Sequence, residues 1–226
     1  ENADTICAIA TATGRGGIGI VRLSGPKALA LGQLITGLTL QPRLATFVDM
    51  MNNSCELIDS GFALYFKAPH SFTGEDVVEL QGHGGPQVLK SLLEQCIARG
   101  ARLAEPGEFT EQAFLNGKID LLQAEAIADL IDASSAQAAR SAMRTLKGVF
   151  SEKIHLLVED ITKIRVNVEA AIDFSDEDID IMTDTGVAEA METAKQHLTD
   201  VFEAAHQGLV VKEGITVVIV GAPNAG

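Results

Sequence analysis

The last residues of the sequence have the types and spacing of a phosphate-binding loop. Residues 216–220, Thr-Val-Val-Ile-Val, predict a buried strand, and residues 221–226, Gly-Ala-Pro-Asn-Ala-Gly, fit the pattern G-x-x-x-x-G. In such a loop the backbone N–H groups surround the phosphates, while a following Lys and Ser/Thr contact the terminal phosphates and magnesium. Those two residues would follow position 226, so we expect residues 1–226 alone not to hydrolyse GTP or ATP. The alternative is a glycine turn after an ordinary strand.

A second candidate site is the stretch Glu-Leu-Gln-Gly-His-Gly-Gly-Pro at 79–86, which predicts a strand end and a glycine turn into a helix. Glycines let a ligand approach the backbone closely, and Glu79 could accept two hydrogen bonds from a planar amino-pyrimidine, with His83 nearby. Arg22 interrupts an apolar strand and could pair with a ligand carboxylate. The alternatives are a solvated carboxylate at Glu79 and a structural acidic partner for Arg22.

Two further patterns suggest ligands but fail in detail. Residues 14–19 fit the dinucleotide fingerprint G-x-G-x-x-G, yet residues 20–23 continue as a strand, and no acid follows at about 20 residues. The acidic stretch 173–184 has Ile181 and Val187 where a calcium loop needs Gly and a bidentate Glu. We therefore predict a glycine turn between strands, and a solvated acidic loop that could dock a basic partner.

Composition limits the class of protein. The 226 residues are 46% hydrophobic, which is ample for a packed core, and contain no apolar run of about 18 residues. A net charge of -14 repels a phosphate backbone, so any RNA contact must be local or lie elsewhere. The start of the sequence, residues 1–4, has no targeting pattern, so we expect a cytoplasmic protein without a membrane partner. Cys7, Cys55 and Cys96 are far apart, which favours buried free thiols over a disulfide framework or a zinc site.

Residues 1–118 predict a mixed α/β or α+β domain. Helices are expected over 26–35 and 86–98, each with Pro in its first turn. Short β-branched runs punctuated by Gly, Pro and Asn predict strands over 6–11, 18–23, 46–50, 62–66 and 77–80.

From residue 120 the composition changes to Ala, Leu, Glu and Gln. Apolar stripes with helical spacing occur over 121–131, 154–172 and 190–205. Gly148 and the loop near Gly186 interrupt the run, which favours a compact bundle over a coiled-coil oligomer. The predicted organisation is an α+β domain over 1–118, an all-α helical bundle over 119–213, and the first strand and partial P-loop of an α/β domain over 214–226.

Several long motifs, in order, resemble those of one family. The resemblance covers essentially all 226 residues and is to the MnmE (TrmE) family of tRNA modification GTPases. The motifs are Gly-Arg-Gly-Gly at 14–17 within 11–25, Ser-Phe-Thr-Gly-Glu-Asp at 71–76, the stretch 79–85, Pro-Gly-Glu-Phe-Thr at 106–110, Ala-Phe-Leu-Asn-Gly-Lys at 113–118 and residues 123–131.

The resemblance implies an N-terminal domain that binds 5-formyl- or 5,10-methylene-tetrahydrofolate and forms a homodimer. A central helical domain would follow, with a Ras-like G domain inserted into it. By matching motifs, the folate contacts would fall on Arg22, Glu79 and Lys118. Glu79 would face the pterin edge, and Arg22 or Lys118 would neutralise the glutamate tail.

The resemblance also implies a potassium-activated GTPase that uses magnesium. Asn224 would contact potassium and GTP, and Ala225 and Gly226 would offer backbone N–H groups to GTP. With the flavoprotein partner MnmG, the family modifies carbon 5 of the wobble uridine in certain tRNAs, and tetrahydrofolate is expected to supply the one-carbon unit. We expect no general acid, base or nucleophile within residues 1–226.

One departure from the family pattern concerns the expected folate site. Gln112 stands where the family commonly has Arg, so one positive charge is missing there. This keeps open an alternative in which the N-terminal domain is an assembly module that only dimerises. A metabolic folate-dependent one-carbon transferase is a third hypothesis, against which a P-loop after a helical bundle argues.

Overall fold

The computed structural model describes residues 4–173, 186–213 and 220–221, within two compact units, Glu1–Ile119 and Asp120–Gly226. The first unit is α+β and the second is helical in its described residues, which confirms the predicted fold class. The predicted strand at 216–220 and the P-loop at 221–226 lie outside the described residues, apart from Val220 and Gly221. The acidic stretch also lies outside them beyond residue 173.

A six-stranded sheet forms the centre of the first unit. The order of its strands across the sheet is β3-β4-β5-β2-β1-β6. All neighbouring strands are antiparallel except β1 and β6, which are parallel. The strands are β1 (Ile6–Ile9), β2 (Gly16–Ser24), β3 (Thr46–Met51), β4 (Leu57–Phe66), β5 (Val77–Gly84) and β6 (Arg102–Leu103).

The core of this unit lies between one face of the sheet and two helices, α1 (Ala28–Thr36) and α2 (Pro86–Ala98). Alternate residues of each strand point to this face, as the two-residue period of a strand requires. The strands contribute Val21, Leu23, Val48, Met50, Ala63, Tyr65, Val78 and Leu80, and the helices contribute Ala28, Leu31, Ile35, Leu89, Leu92 and Cys96.

Strand β5 is longer than the sequence predicts, and this corrects the expected glycine turn after Leu80. The strand continues through Gly84, and Glu79 lies within it, as the predicted range 77–80 also has it. The glycines permit close strand packing, because a Cβ atom at Gly84 would lie 2.6 Å from the Ile18 backbone oxygen and 2.7 Å from that of Gly16. The glycine pattern at 14–19, which resembles a dinucleotide fingerprint, leads into strand β2 and not into a helix, as predicted.

A third helix of this unit, α3 (Glu108–Leu115), was not predicted. It begins after Gly107, which has a φ of 81°, and has Glu108 and Glu111 in its first turn, where acids favour a helix start. The predicted burial of all three thiols is also wrong. Cys7 and Cys96 are buried, whereas Cys55 is exposed, in a turn, with a φ of 60°.

The described helices of the second unit form two helical pairs. Helix α4 starts with a capping box in which Asp120 and Gln123 bond each other's backbone N–H groups, and Gly148, with a φ of 85°, ends α5. None of the helices in the described ranges is long and apolar enough to cross a membrane. The helices are α4 (Leu121–Ile131), α5 (Ala136–Leu146), α6 (Val149–Asp173) and α7 (Val187–Glu213).

Candidate functional site

Arg22 and Glu79 form an ion pair on the sheet face opposite α1 and α2. The antiparallel register of β2 and β5 places the two residues directly opposite each other. Arg22 donates from Nε and Nη2 to the same oxygen, Glu79 Oε1, at 3.0 and 2.8 Å. The other oxygen, Oε2, accepts a 3.3 Å bond from Gln81 Nε2 and no other hydrogen bond from the described residues. The side chains of Arg22 and Glu79 are 29% and 14% exposed, so the pair is shielded but reachable.

Helix α3 places an aromatic ring and an amide beside this pair. The Arg22 guanidinium carbon lies 5.6 Å from the centre of the Phe109 ring, within the range of a cation–π contact. Three residues further along the helix, Gln112 accepts a 2.8 Å hydrogen bond from Ser24 Oγ through its Oε1 atom. Helical spacing puts Phe109 and Gln112 on one face, so both cover neighbouring residues of β2.

The Gln112 amide is oriented by a chain of hydroxyl groups. Ser24 has one hydroxyl proton and donates it to Gln112, so the 2.8 Å bond between Ser24 and Thr73 must be donated by Thr73. Thr73 in turn accepts from the backbone N–H of Glu75 at 3.2 Å. With Oε1 of Gln112 facing Ser24, its NH₂ group has no protein acceptor in the described part of the chain. That group can donate to a ligand.

Lys118 lies apart from the Arg22–Glu79 pair. Its Nζ atom donates to the Pro69 carbonyl oxygen at 2.9 Å, and within the described ranges no hydrogen bond or ion pair joins it to Arg22 or Glu79. Nearby, Gly74 adopts a φ of 82°, and a Cβ atom there would lie only 3.2 Å from Lys118 Cγ. The exposed Lys118 side chain therefore packs on the 69–75 loop.

His83 is held by a carboxylate and does not contact Glu79 in the described structure. Asp59 accepts bonds from the His83 backbone N–H at 2.7 Å and pairs with its Nδ1 at 2.8 Å. Burial opposes ionisation of Asp59, but the hydrogen bonds from His83 and Ser60 outweigh it and hold the Asp59 pKa below its ordinary value. The ring itself is 75% exposed.

The sequence prediction missed three residues that shape this site: Ser24, Thr73 and Phe109. Thr73 and Phe109 lie inside motifs that carry the family resemblance, and Ser24 lies two residues after Arg22, so it shares the Arg22 face of the strand. The period of two along β2 was the signal that could have identified Ser24. Phe109 required the prediction of α3.

Two family models match the chain in succession. The model described as GTP-binding protein TrmE N-terminus matches residues 5–118, and the MnmE helical domain matches residues 121–216. The chain belongs to the MnmE (TrmE) family. It is 56% identical over 223 residues to the tRNA modification GTPase MnmE of Pseudomonas putida strain W619, covering 99% of this chain and 49% of that protein. The Neisseria meningitidis serogroup A protein of the same name is 54% identical over 226 residues, with 100% and 50% covered.

The chain therefore spans about half the length of these MnmE relatives. The predicted GTP and potassium contacts at Asn224, Ala225 and Gly226 lie outside the described residues. Among the residues that are described, no group of three or more His, Cys, Asp or Glu side chains could hold a metal ion.

Proposed function

We propose that the chain is the folate-binding, dimerising and helical part of a cytoplasmic MnmE-type GTPase. With a flavoprotein partner of the MnmG type, the whole protein would modify carbon 5 of the wobble uridine in certain tRNAs. Membership of the family supports this activity, as do the names of the relatives, which are tRNA modification GTPases. GTP, potassium and magnesium would be used through the P-loop, with Asn224, Ala225 and Gly226 contributing to it.

The observation that carries the proposal is the shielded Arg22–Glu79 pair beneath α3. Its groups suit a folate: Glu79 Oε2 can accept from an amino-pyrimidine, Phe109 offers an aromatic surface, and Arg22 is a cation for a carboxylate. Bound 5-formyl- or 5,10-methylene-tetrahydrofolate would supply the one-carbon unit. The chain's own residues would bind and orient it, and Lys118 would join them after releasing Pro69.

Calorimetric titration of 5-formyl-tetrahydrofolate into the chain tests the folate site. We expect binding in the micromolar range, about -8 kcal/mol, and at least a roughly tenfold loss in Glu79→Ala and in Arg22→Ala, because each variant removes a charged hydrogen-bonding group. Glu79→Gln keeps the shape of the side chain and should lose affinity without loss of folding. Lys90→Ala is the matched control, since Lys90 forms an exposed pair with Glu94 at 3.8 Å on the same unit.

A second candidate function, an assembly module without a working folate site, is favoured by an exposed aromatic pair. Phe47 and Phe62 meet edge to face, 5.6 Å between ring centres, yet remain 64% and 46% exposed. A homodimer contact on this sheet face would bury them. A dimeric wild type that binds no folate, and that becomes monomeric in Phe62→Ser by sedimentation, would support the assembly module over the folate site.

The assignment of GTP hydrolysis to the complete P-loop also predicts the behaviour of a protein that ends at Gly226. It should show no GTP hydrolysis, because the P-loop Lys and Ser/Thr follow that position. Potassium-dependent GTP turnover by such a protein would contradict the assignment of the P-loop.

A further inference from the structure

A groove on the helical unit gathers three cations in a chain whose net charge is -14. It has a volume of about 480 Å³ and is bordered by α5, α6 and α7. Phe150 and Ala204 form apolar parts of its wall. Its polar lining consists of Arg140, Arg144 and Lys153 with Gln137, Ser141 and Thr145.

The three cations have no acidic partner in the part of the chain that the structure describes, and all three side chains are exposed. Two other cations of the same unit are paired: Arg165 lies 3.6 Å from Glu169, and Lys195 lies 3.4 Å from Glu192. None of the described residues that line the groove is a carboxylate. The groove therefore presents uncompensated positive charge, which attracts anions most strongly at low salt.

The sequence concentrates these charges on one helix face. No acid occurs between Asp132 and Glu152, a stretch that includes all of α5. Arg140 and Arg144 are four residues apart, so their Cβ atoms lie about 6 Å from each other on one face. Lys153 adds a third charge from α6. The arrangement can meet several phosphates along a strand, and the neighbouring hydroxyl and amide groups can donate to phosphate oxygens.

The adjoining cavity has the opposite charge and limits where an anion can lie. It shares Ser141, Thr145 and Phe150 with the basic groove but is bordered on its α4 side by Glu125 and Asp132. A polyanion is repelled from that side and is directed along the α5 and α6 side. The helical unit therefore has a basic groove beside α5 and α6 and an acidic cavity wall beside α4, although the chain as a whole is acidic.

We infer that this basic groove binds the phosphate backbone of RNA. The choice of tRNA as that RNA rests on the proposed function. The groove is lined by Arg, Lys, Ser, Thr and Gln side chains of the kinds that contact a phosphate backbone, so binding should depend on salt more than on sequence. This local cluster of positive charge would allow a chain with a net charge of -14 to bind a polyanion.

Fluorescence anisotropy of labelled tRNA with this chain, measured over a range of KCl concentrations, tests the inference. In the triple variant Arg140→Gln, Arg144→Gln, Lys153→Gln, the slope of log affinity against log salt should become shallower by about 3. From about 50 to 200 mM salt, the wild type should therefore lose about 60-fold more affinity than the variant. The conservative pair Arg140→Lys, Arg144→Lys keeps both charges and should keep the wild-type slope.

Arg165→Gln is the matched control, because it removes one α6 cation that already has a carboxylate partner. The inference is overturned if wild type binds no tRNA at low salt, if the triple variant keeps the wild-type slope, or if Arg165→Gln changes it equally. It is also overturned if tripolyphosphate occupies the groove and tRNA binds undisturbed, since the site would then take a small phosphate ligand. Folate titration of the same variants separates the two proposals, because a failed folate site leaves the salt slopes unchanged.

Discussion

The two units differ in where their side chains find partners. In the sheet unit, apolar residues from five strands and helices α1 and α2 form one buried cluster, and the polar residues Ser24 and Thr73 are buried in a hydrogen-bonded chain. In the helical unit, many large apolar residues of α6 and α7 are about half exposed or more. These are Leu156, Val158, Ile161, Val166, Ile172, Met191 and Phe202.

Both units expose large apolar residues, Phe47 and Phe62 among those of the sheet unit, but in the described part of the chain only the sheet unit has a large buried apolar cluster. Burial of apolar area stabilises at about 25 cal/mol per Å², so the sheet unit contains most of the side chains whose loss should be costly. The exposed stripes of α6 and α7 and the unpaired cations near α5 contribute little to their own unit, and they suit contacts with other molecules or further protein. The chain thus contains both a partly shielded site, the Arg22–Glu79 pair, and an exposed surface on the helices α5 to α7.

The largest expected effect on stability comes from truncating a buried leucine of the sheet unit, compared with truncating an exposed leucine of the helical unit. Leu80 is fully buried in the sheet, so Leu80→Ala should lower the free energy of unfolding by about 3 kcal/mol, whereas Leu156, 53% exposed, should cost less than about 1 kcal/mol. Tyr65 is the only tyrosine and there is no tryptophan, so tyrosine fluorescence during urea unfolding reports the effect of Leu80→Ala on the sheet unit. Far-ultraviolet circular dichroism reports the effect of Leu156→Ala on the helical unit, and an equal loss of stability in the two variants would show that the comparison is wrong.

The next effect concerns the hydroxyl chain that orients Gln112. Ser24→Ala removes the donor to Gln112 and the acceptor of Thr73, and both groups would be left partly buried, so we expect a cost of about 1 to 3 kcal/mol. Ser60→Ala is the matched control, because the Ser60 hydroxyl donates to Asp49 at an exposed position and should cost less than about 1 kcal/mol. If urea unfolding gave the same loss of unfolding free energy in the two variants, the buried Ser24 hydroxyl would contribute no more to stability than the exposed Ser60 hydroxyl.

The spacing of apolar residues along the sequence predicted those helices and strands whose pattern depends on local residues alone. Helix α2 was predicted over its observed bounds, since Pro86 marks its start and an apolar stripe runs to residue 98. Strand β5 was cut short at Leu80 because three glycines read as a turn. Those glycines instead allow the backbones of β2 and β5 to approach, a relation between distant segments that no local pattern contains.

The candidate site shows the same limit. Arg22 and Glu79 were each singled out as charged outliers, but their mutual pairing follows from the register of β2 and β5, which spans 57 residues. Gln112 was interpreted only as a lost charge. Its carbonyl oxygen accepts from Ser24, and Arg has no acceptor, so Gln112→Arg would also require Ser24 to find another acceptor for its proton.

The smallest effect is a titration inside the sheet unit. Burial, together with the hydrogen bond that Tyr65 donates to Asp76 at 3.0 Å, raises the Tyr65 pKa to about 12. Because this value lies above the ordinary pKa of about 10, the resulting stability is fully present below pH 10 and is lost as the pH rises through about 12. Ultraviolet titration observes this group directly, because Tyr65 is the only tyrosine.

Asp76→Asn is the control that separates the two causes. It removes the negative charge but keeps an oxygen that can accept from Tyr65, so the tyrosine pKa should fall part of the way towards 10 while burial still holds it above that value. Tyr65→Phe should remove the alkaline loss of stability that belongs to this group. If Tyr65 titrated near pH 10 in the folded wild type, the sheet unit would be more open around β4 than its buried core requires, and the contrast with the helical unit would weaken.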